Sequence, residues 1–140
     1  MVPINRLLNQ FTNKKMTENQ ISYIIRGTTI TVHRNLGPGL LESVYETVLK
    51  HELQKEGLHV VNQVPVPVEY DQIKFDKGFR IDLLVENKVI IEVKSVESLL
   101  EVHQKQLLTY LKLADNKLGL LINFNSVLTK NSITRIVNNL

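Results

Sequence analysis

The sequence predicts an α/β domain. Three features carry that expectation: two amphipathic helical stretches broken at Gly37-Pro38-Gly39, a following run of short extended segments, and a third helical stretch that leads into the nearly all-apolar run Leu118 to Phe124. At 140 residues the chain suits one domain, able to bury about 70% of its unfolded surface. We assign 17–140 to that domain and 1–16 to an N-terminal arm or an alternative-start extension. The arm carries three basic residues, no acidic one, and the short apolar cluster Ile4, Leu7, Leu8 and Phe11.

Thr17 and Gln20 have the spacing of a capping box, and Ile21, Ile24, Ile25, Thr28 and Val32 then recur at helical spacing as far as Asn35. Gly37-Pro38-Gly39 ends that helix. From Leu40 to about Glu56 a second stripe contains Leu41, Val44, Tyr45, Val48, Leu49 and Leu53, with Gly57 placed as the C-terminal glycine. Glu42 lies one turn before Tyr45 and Glu46, at the margin of the stripe.

Leu58 to Val64 and Val66 to Tyr70 read as strands, the second marked by Pro65 and Pro67 as an edge or strand end. Asp71 to Gly78 is polar and reads as a turn. Phe79 to Ser95 reads as a hairpin. Alternation places Ile81, Leu83 and Val85 on one face of its first strand, with Asp82 and Leu84 on the other. Its second strand puts Val89, Ile91 and Val93 opposite Ile90, Glu92 and Lys94. A three-residue loop at Glu86-Asn87-Lys88 would pair Val85 with Val89 and set Asp82 against Glu92, whereas a two-residue loop would part the carboxylates. Ser98 to Ala114 reads as a helix with Leu99, Val102, Gln106, Tyr110 and Leu113 near one stripe. Leu118 to Phe124 reads as a strand covered on both faces, and Ser132 to Val137 as a last strand, with a helix as the alternative.

Composition excludes several chemistries. With no cysteine there is no disulfide, thiolate zinc site or cysteine nucleophile. No run reaches the roughly 20 apolar residues of a membrane span and no secretory signal is evident, so the expectation is a soluble cytoplasmic protein with no membrane partner. A net charge of +3 suits a polyanion without demanding one. The four histidines, His33, His51, His59 and His103, include no i,i+4 metal pair. A Gly-rich phosphate loop and a nucleophile elbow are both missing.

The chemistry therefore rests on charges set in apolar strands, which are costly unless paired or metal-bound. Asp82 and Glu92 converging from neighbouring strands form a hard oxygen site suited to Mg²⁺, with Mn²⁺ able to substitute. The Val93 carbonyl is a further ligand, and Glu42 joins directly or through a water. Lys94, on the Glu92 face, would orient an attacking water and offset transition-state charge. Gln106 and Tyr110, four apart on one helix face, could hold the lysine, a water or the substrate backbone. Each piece also has an ordinary reading. A lone Glu-x-Lys usually forms a solvated strand face, Asp82 could simply pair with Lys94, and Gln106 with Tyr110 could be plain helix surface.

Taken together the pieces resemble a known pattern. Gly39-Leu-Leu-Glu42-Ser-Val-Tyr45 matches the motif of the GxxExxY protein family, a branch of the PD-(D/E)XK nuclease superfamily. The resemblance continues through Arg80-Ile-Asp82-Leu-Leu-Val, Ile91-Glu92-Val-Lys94, Gln106-Leu-Leu-Thr-Tyr110-Leu and Gly119-Leu-Leu-Ile-Asn-Phe, over about residues 17 to 137. It implies an αβββαβ restriction-endonuclease-like core, a mixed sheet flanked by helices. It also implies Glu42 on the first helix of that core, Asp82 and Glu92-x-Lys94 on central strands, and Gln106-x-x-x-Tyr110 on the next helix, as in RecB-type nucleases. Ile81 stands where the superfamily name has proline. The implied activity is metal-dependent hydrolysis of DNA by an activated water. The alternatives are a catalytically silent nucleic-acid-binding or regulatory module, and a protein-interaction domain such as a homodimer.

Overall fold

The structure, a computed structural model, describes residues 15–75, 79–125, 127 and 131–140. The arm assigned to 1–16 falls almost wholly outside the described residues. Met16, its last member, is buried in the domain core, and its carbonyl accepts from Lys88 Nζ at 2.5 Å.

The capping box is present: Thr17 Oγ1 accepts from the Gln20 amide and Gln20 Oε1 from the Thr17 amide, opening helix α1 (Glu18–Leu36). Gly37 and Gly39 have φ of 68° and 100°, values that glycine adopts without steric cost, and they turn the chain into α2 (Glu42–Lys55). Tyr45 locks this turn. Its hydroxyl donates to the Gly37 carbonyl at 2.5 Å and accepts from the Leu40 amide, while its ring stacks on Phe124 with centroids 4.4 Å apart.

The strands are β1 (Val60–Pro65), β2 (Val68–Tyr70), β3 (Ile73–Phe75), β4 (Arg80–Val85), β5 (Val89–Lys94), β6 (Leu118–Asn123) and β7 (Ile133–Val137), with α3 (Glu101–Ala114) between β5 and β6. Five of them form one sheet in the order β1-β4-β5-β6-β7. β5 and β6 pair in parallel and the other neighbours antiparallel, so the sheet is mixed as expected. Taken as α2-β1-β4-β5-α3-β6, the αβββαβ core is present. β2 and β3 form a separate two-stranded sheet. The expected polar turn over Asp71 to Gly78 is thus corrected, because Ile73–Phe75 is a strand paired with Val68–Tyr70, and 76–78 lie outside the described residues.

Two apolar cores flank the sheet. Helices α1 and α2 cover Val60, Leu83, Val85, Val89, Ile91, Val93, Leu118, Leu120 and Ile122. The other face, with Ile90 and Leu121, packs against Leu107, Tyr110 and Leu111 of α3. The expected α3 stripe was rotated: Val102, Gln106 and Leu113 are exposed. Gly119 explains the true face. A Cβ there would lie 2.8 Å from Leu107 Cδ1, so the missing side chain lets Leu107 seat against β6. All six residues of β6 are buried, as its apolar run requires.

Candidate active site

The β4–β5 hairpin has the register that brings the two carboxylates together. Val85 pairs with Val89, Leu84 with Ile90 and Leu83 with Ile91 around a three-residue loop. Continued by one step, that register sets Asp82 against Glu92. There the backbone ladder gives way to side chains. The Asp82 amide donates to Glu92 Oε1 at 3.3 Å, and the Val93 amide donates to Asp82 Oδ2 at 2.8 Å. Each carboxylate thus takes the place of a carbonyl on the opposing strand. Since a strand residue turns its N–H and C=O to the same edge, the Val93 carbonyl is directed into the same gap.

A local break in β1 and β4 shapes this end of the sheet. Leu83 and Val85 belong to the core under α1 and α2, but Ile81 joins the core under α3. The expectation that Ile81, Leu83 and Val85 share a face is therefore corrected. β1 changes face at the same level, with Val60 in the first core and Val64 against the second. Between them Gln63, opposite Asp82, has φ of 52°, a left-handed value that costs a non-glycine residue about 1–3 kcal/mol. The pairing stays one to one across this point, so the break is a local flip of the backbone rather than an inserted residue, and period-2 alternation cannot foresee it.

Glu92 is 4% exposed, and its carboxyl is pushed up to about 9, first by burial and then by the Asp82 charge across the hairpin. Glu46, on α2, is also raised. Burial is the main cause, the Gln63 amide draws the value down, and Asp82 pushes it up. Gln63 Nε2 bridges the two groups, donating to Glu46 Oε1 at 2.7 Å and to Asp82 Oδ1 at 3.4 Å. Asp82 therefore stands between Glu92 and Glu46, at the wall of a cleft of about 560 Å³ lined also by Glu42, Gln63 and Ser95.

Glu42, the first residue of α2, is exposed and accepts from the Ser95 amide at 3.3 Å. Ser95 Oγ donates to the Leu40 carbonyl, so the segment just after Lys94 is tied to the start of α2. On its other side that segment is held by Asn123, whose side chain exchanges two hydrogen bonds with the Val96 backbone. Lys94 is half-buried, close enough to Glu92 to draw its carboxyl down, and makes no ion pair within 4 Å among the described residues. The simple Asp82–Lys94 pair is thus not formed. Tyr110 is buried, and its hydroxyl is raised first by burial and then by the charges of Glu92 and Asp82, which places it beside both. Gln106 lies one turn ahead on α3, exposed and without a hydrogen bond to the carboxylates.

Asp82, Glu92, Val93, Lys94 and Tyr110 are therefore gathered, Glu42 borders the same cleft, and Gln106 stands apart. Glu46 and Gln63 escaped the sequence reading. Glu46 carried a signal, being four residues after Glu42 and so on the same helix face. Gln63 carried none beyond being polar in an apolar segment.

The donors suit a small divalent cation. Asp82 and Glu92 offer hard oxygens, and the raised carboxyl of Glu92 marks a place where positive charge is wanting. Among the described residues no three His, Cys, Asp or Glu side chains gather as a ready-made metal cage. Two carboxylates and a carbonyl, with waters and phosphate oxygens completing the shell, are what Mg²⁺ accepts. His103 Nδ1 accepts from the Leu100 amide and caps the start of α3. Among the described residues, no helix is long and apolar enough to cross a membrane. No curated protein matches the chain significantly. A family model described as the PD-(D/E)XK nuclease superfamily matches residues 19–136.

Proposed function

Because the chain belongs to the PD-(D/E)XK nuclease superfamily, whose pattern spans residues 19–136, we propose that it is a Mg²⁺-dependent deoxyribonuclease of the GxxExxY branch, with Mn²⁺ able to substitute. The observation that carries this reading is the interlock of Asp82 and Glu92, with Lys94 two residues further along the same strand. When bound, the cation supplies a Lewis acid that lowers the pKa of a water and offsets phosphate charge. Asp82, Glu92 and the Val93 carbonyl would hold it.

The remaining side chains have separate tasks. The Lys94 ammonium orients the water that attacks phosphorus opposite the leaving oxygen, and it stabilises the negative charge that grows on the phosphoryl oxygens. Tyr110 lines the carboxylate pair on the α3 side, where its hydroxyl would supply a donor to a water or the substrate. Glu42 holds the Ser95 peptide, and through it the position of Lys94. Gln106, exposed on α3, is free to reach the substrate backbone.

Cleavage of supercoiled, linear and single-stranded DNA with Mg²⁺ or Mn²⁺ tests the reading beside a Lys94→Ala control. The expected loss in the control is about 10²–10³-fold, the scale of removing one preorganised charge-stabilising donor. Equal activity in both proteins would sink the mechanism. DNA binding that falls steeply with salt, with no product at any divalent metal, would instead establish a silent binding module.

A further inference from the structure

Gln63 is an exposed residue of an edge strand, yet three features set it apart. Its backbone is left-handed, and its amide bridges Glu46 and Asp82. It also breaks the alternation of β1. Asn62 Oδ1 accepts from Lys50 Nζ at 2.7 Å, and the next residue, Gln63, reaches Glu46. Both partners belong to α2, so two consecutive strand residues point to one side, which a regular strand forbids.

The consequence lies in the cleft. Had β1 and β4 kept their alternation, Val64 and Ile81 would continue the apolar row of Val60 and Leu83 beneath α2. They turn instead to the α3 side. The space left under the start of α2 is the cleft, and Asp82 becomes part of its wall. The Arg80 guanidinium donates to the Gln63 carbonyl at 3.4 Å and ties the flipped residue to β4.

We propose that Gln63 is a positioning residue of the active site: its left-handed backbone opens the cleft, and its amide holds the Asp82 carboxylate toward the position a divalent cation would take. The inference rests on the phosphodiesterase reading for its chemistry but is tested apart from it. Strain retained at a functional site has a recognisable signature, in that relieving it preserves the fold while the site fails.

Gln63→Gly and Gln63→Ala separate the two contributions, because glycine accepts the left-handed conformation and alanine resists it. Thermal melting and Mn²⁺ calorimetry are read on both variants and the parent, together with DNA cleavage. The Gly variant should melt above the Ala variant, while Mn²⁺ affinity drops by about 10-fold or more in both, the scale of losing a group that orients a metal ligand. Melting of Gly below Ala, or Mn²⁺ affinity in the Gly variant within twofold of the parent, would overturn the proposal. If the parent cuts no DNA but the affinity difference appears, the nuclease reading falls and this inference stands. If parent and Gly variant cut equally well, this inference falls and the nuclease reading stands.

Discussion

The β4–β5 hairpin has two ends built from the same strands by opposite means. At the turn end, Leu83, Val85, Val89 and Ile91 are fully buried and the ladder closes through backbone pairs. At the other end, one residue further along each strand, Asp82 and Glu92 fill the ladder with carboxylates, and Gln63 holds the neighbouring strand in a strained left-handed conformation. The turn end supplies stability, and the open end draws on it. The contrast explains how a buried carboxyl pushed up to about 9 can persist: the rigid, apolar half of the hairpin fixes the register that sets it against Asp82.

Substitutions can sharpen or break this division. The largest effect on folding is expected at the closed end, where Ile91→Ala should destabilise by about 2–5 kcal/mol in urea unfolding by emptying a fully buried site. A loss below 1 kcal/mol would remove that end's structural role. Glu92→Gln should act in the opposite sense. Glu92 ionises in the folded, metal-free protein near 9 rather than at its ordinary 4.5, so its stabilising contribution is complete below about 4.5 and is lost as pH rises toward 9. The neutral amide removes that loss. In chelator, the variant should be the more stable protein at pH 8 and gain nothing at pH 4.5, as read by melting at both values. Tyr45→Phe is the mildest. It removes the hydroxyl that joins Gly37 to Leu40 but keeps the stack on Phe124, for a cost of about 1 kcal/mol in the same unfolding assay.

The closed end was the part legible in the sequence. Apolar alternation over Leu83 to Val93 gave the faces and left two loop lengths open; the three-residue loop at Glu86-Asn87-Lys88, which keeps Val85 and Val89 on one face, is the one present. The capping box at Thr17 and the double-covered strand β6 were readable for similarly local reasons. What escaped depended on tertiary contacts. The buried face of α3 is set by the gap at Gly119 rather than by its own hydrophobic pattern, which placed Val102 and Leu113 inward. The switch of Ile81 to the second core accompanies the left-handed Gln63 on another strand. Glu46 enters the site because the flipped Gln63 carries its amide to it. The strand Ile73–Phe75 was hidden by its short length and by flanking polar residues that read as one turn.

The most direct measurement of the open end's role is Mg²⁺-dependent cleavage of supercoiled DNA by the parent protein and by Asp82→Asn, which keeps the side chain's shape and removes its charge. The prediction is cleavage that appears with Mg²⁺, stops with chelator and is lost in the variant, while the two proteins melt within a few degrees of each other. Cleavage that survives chelation, or that proceeds equally in Asp82→Asn, would contradict it.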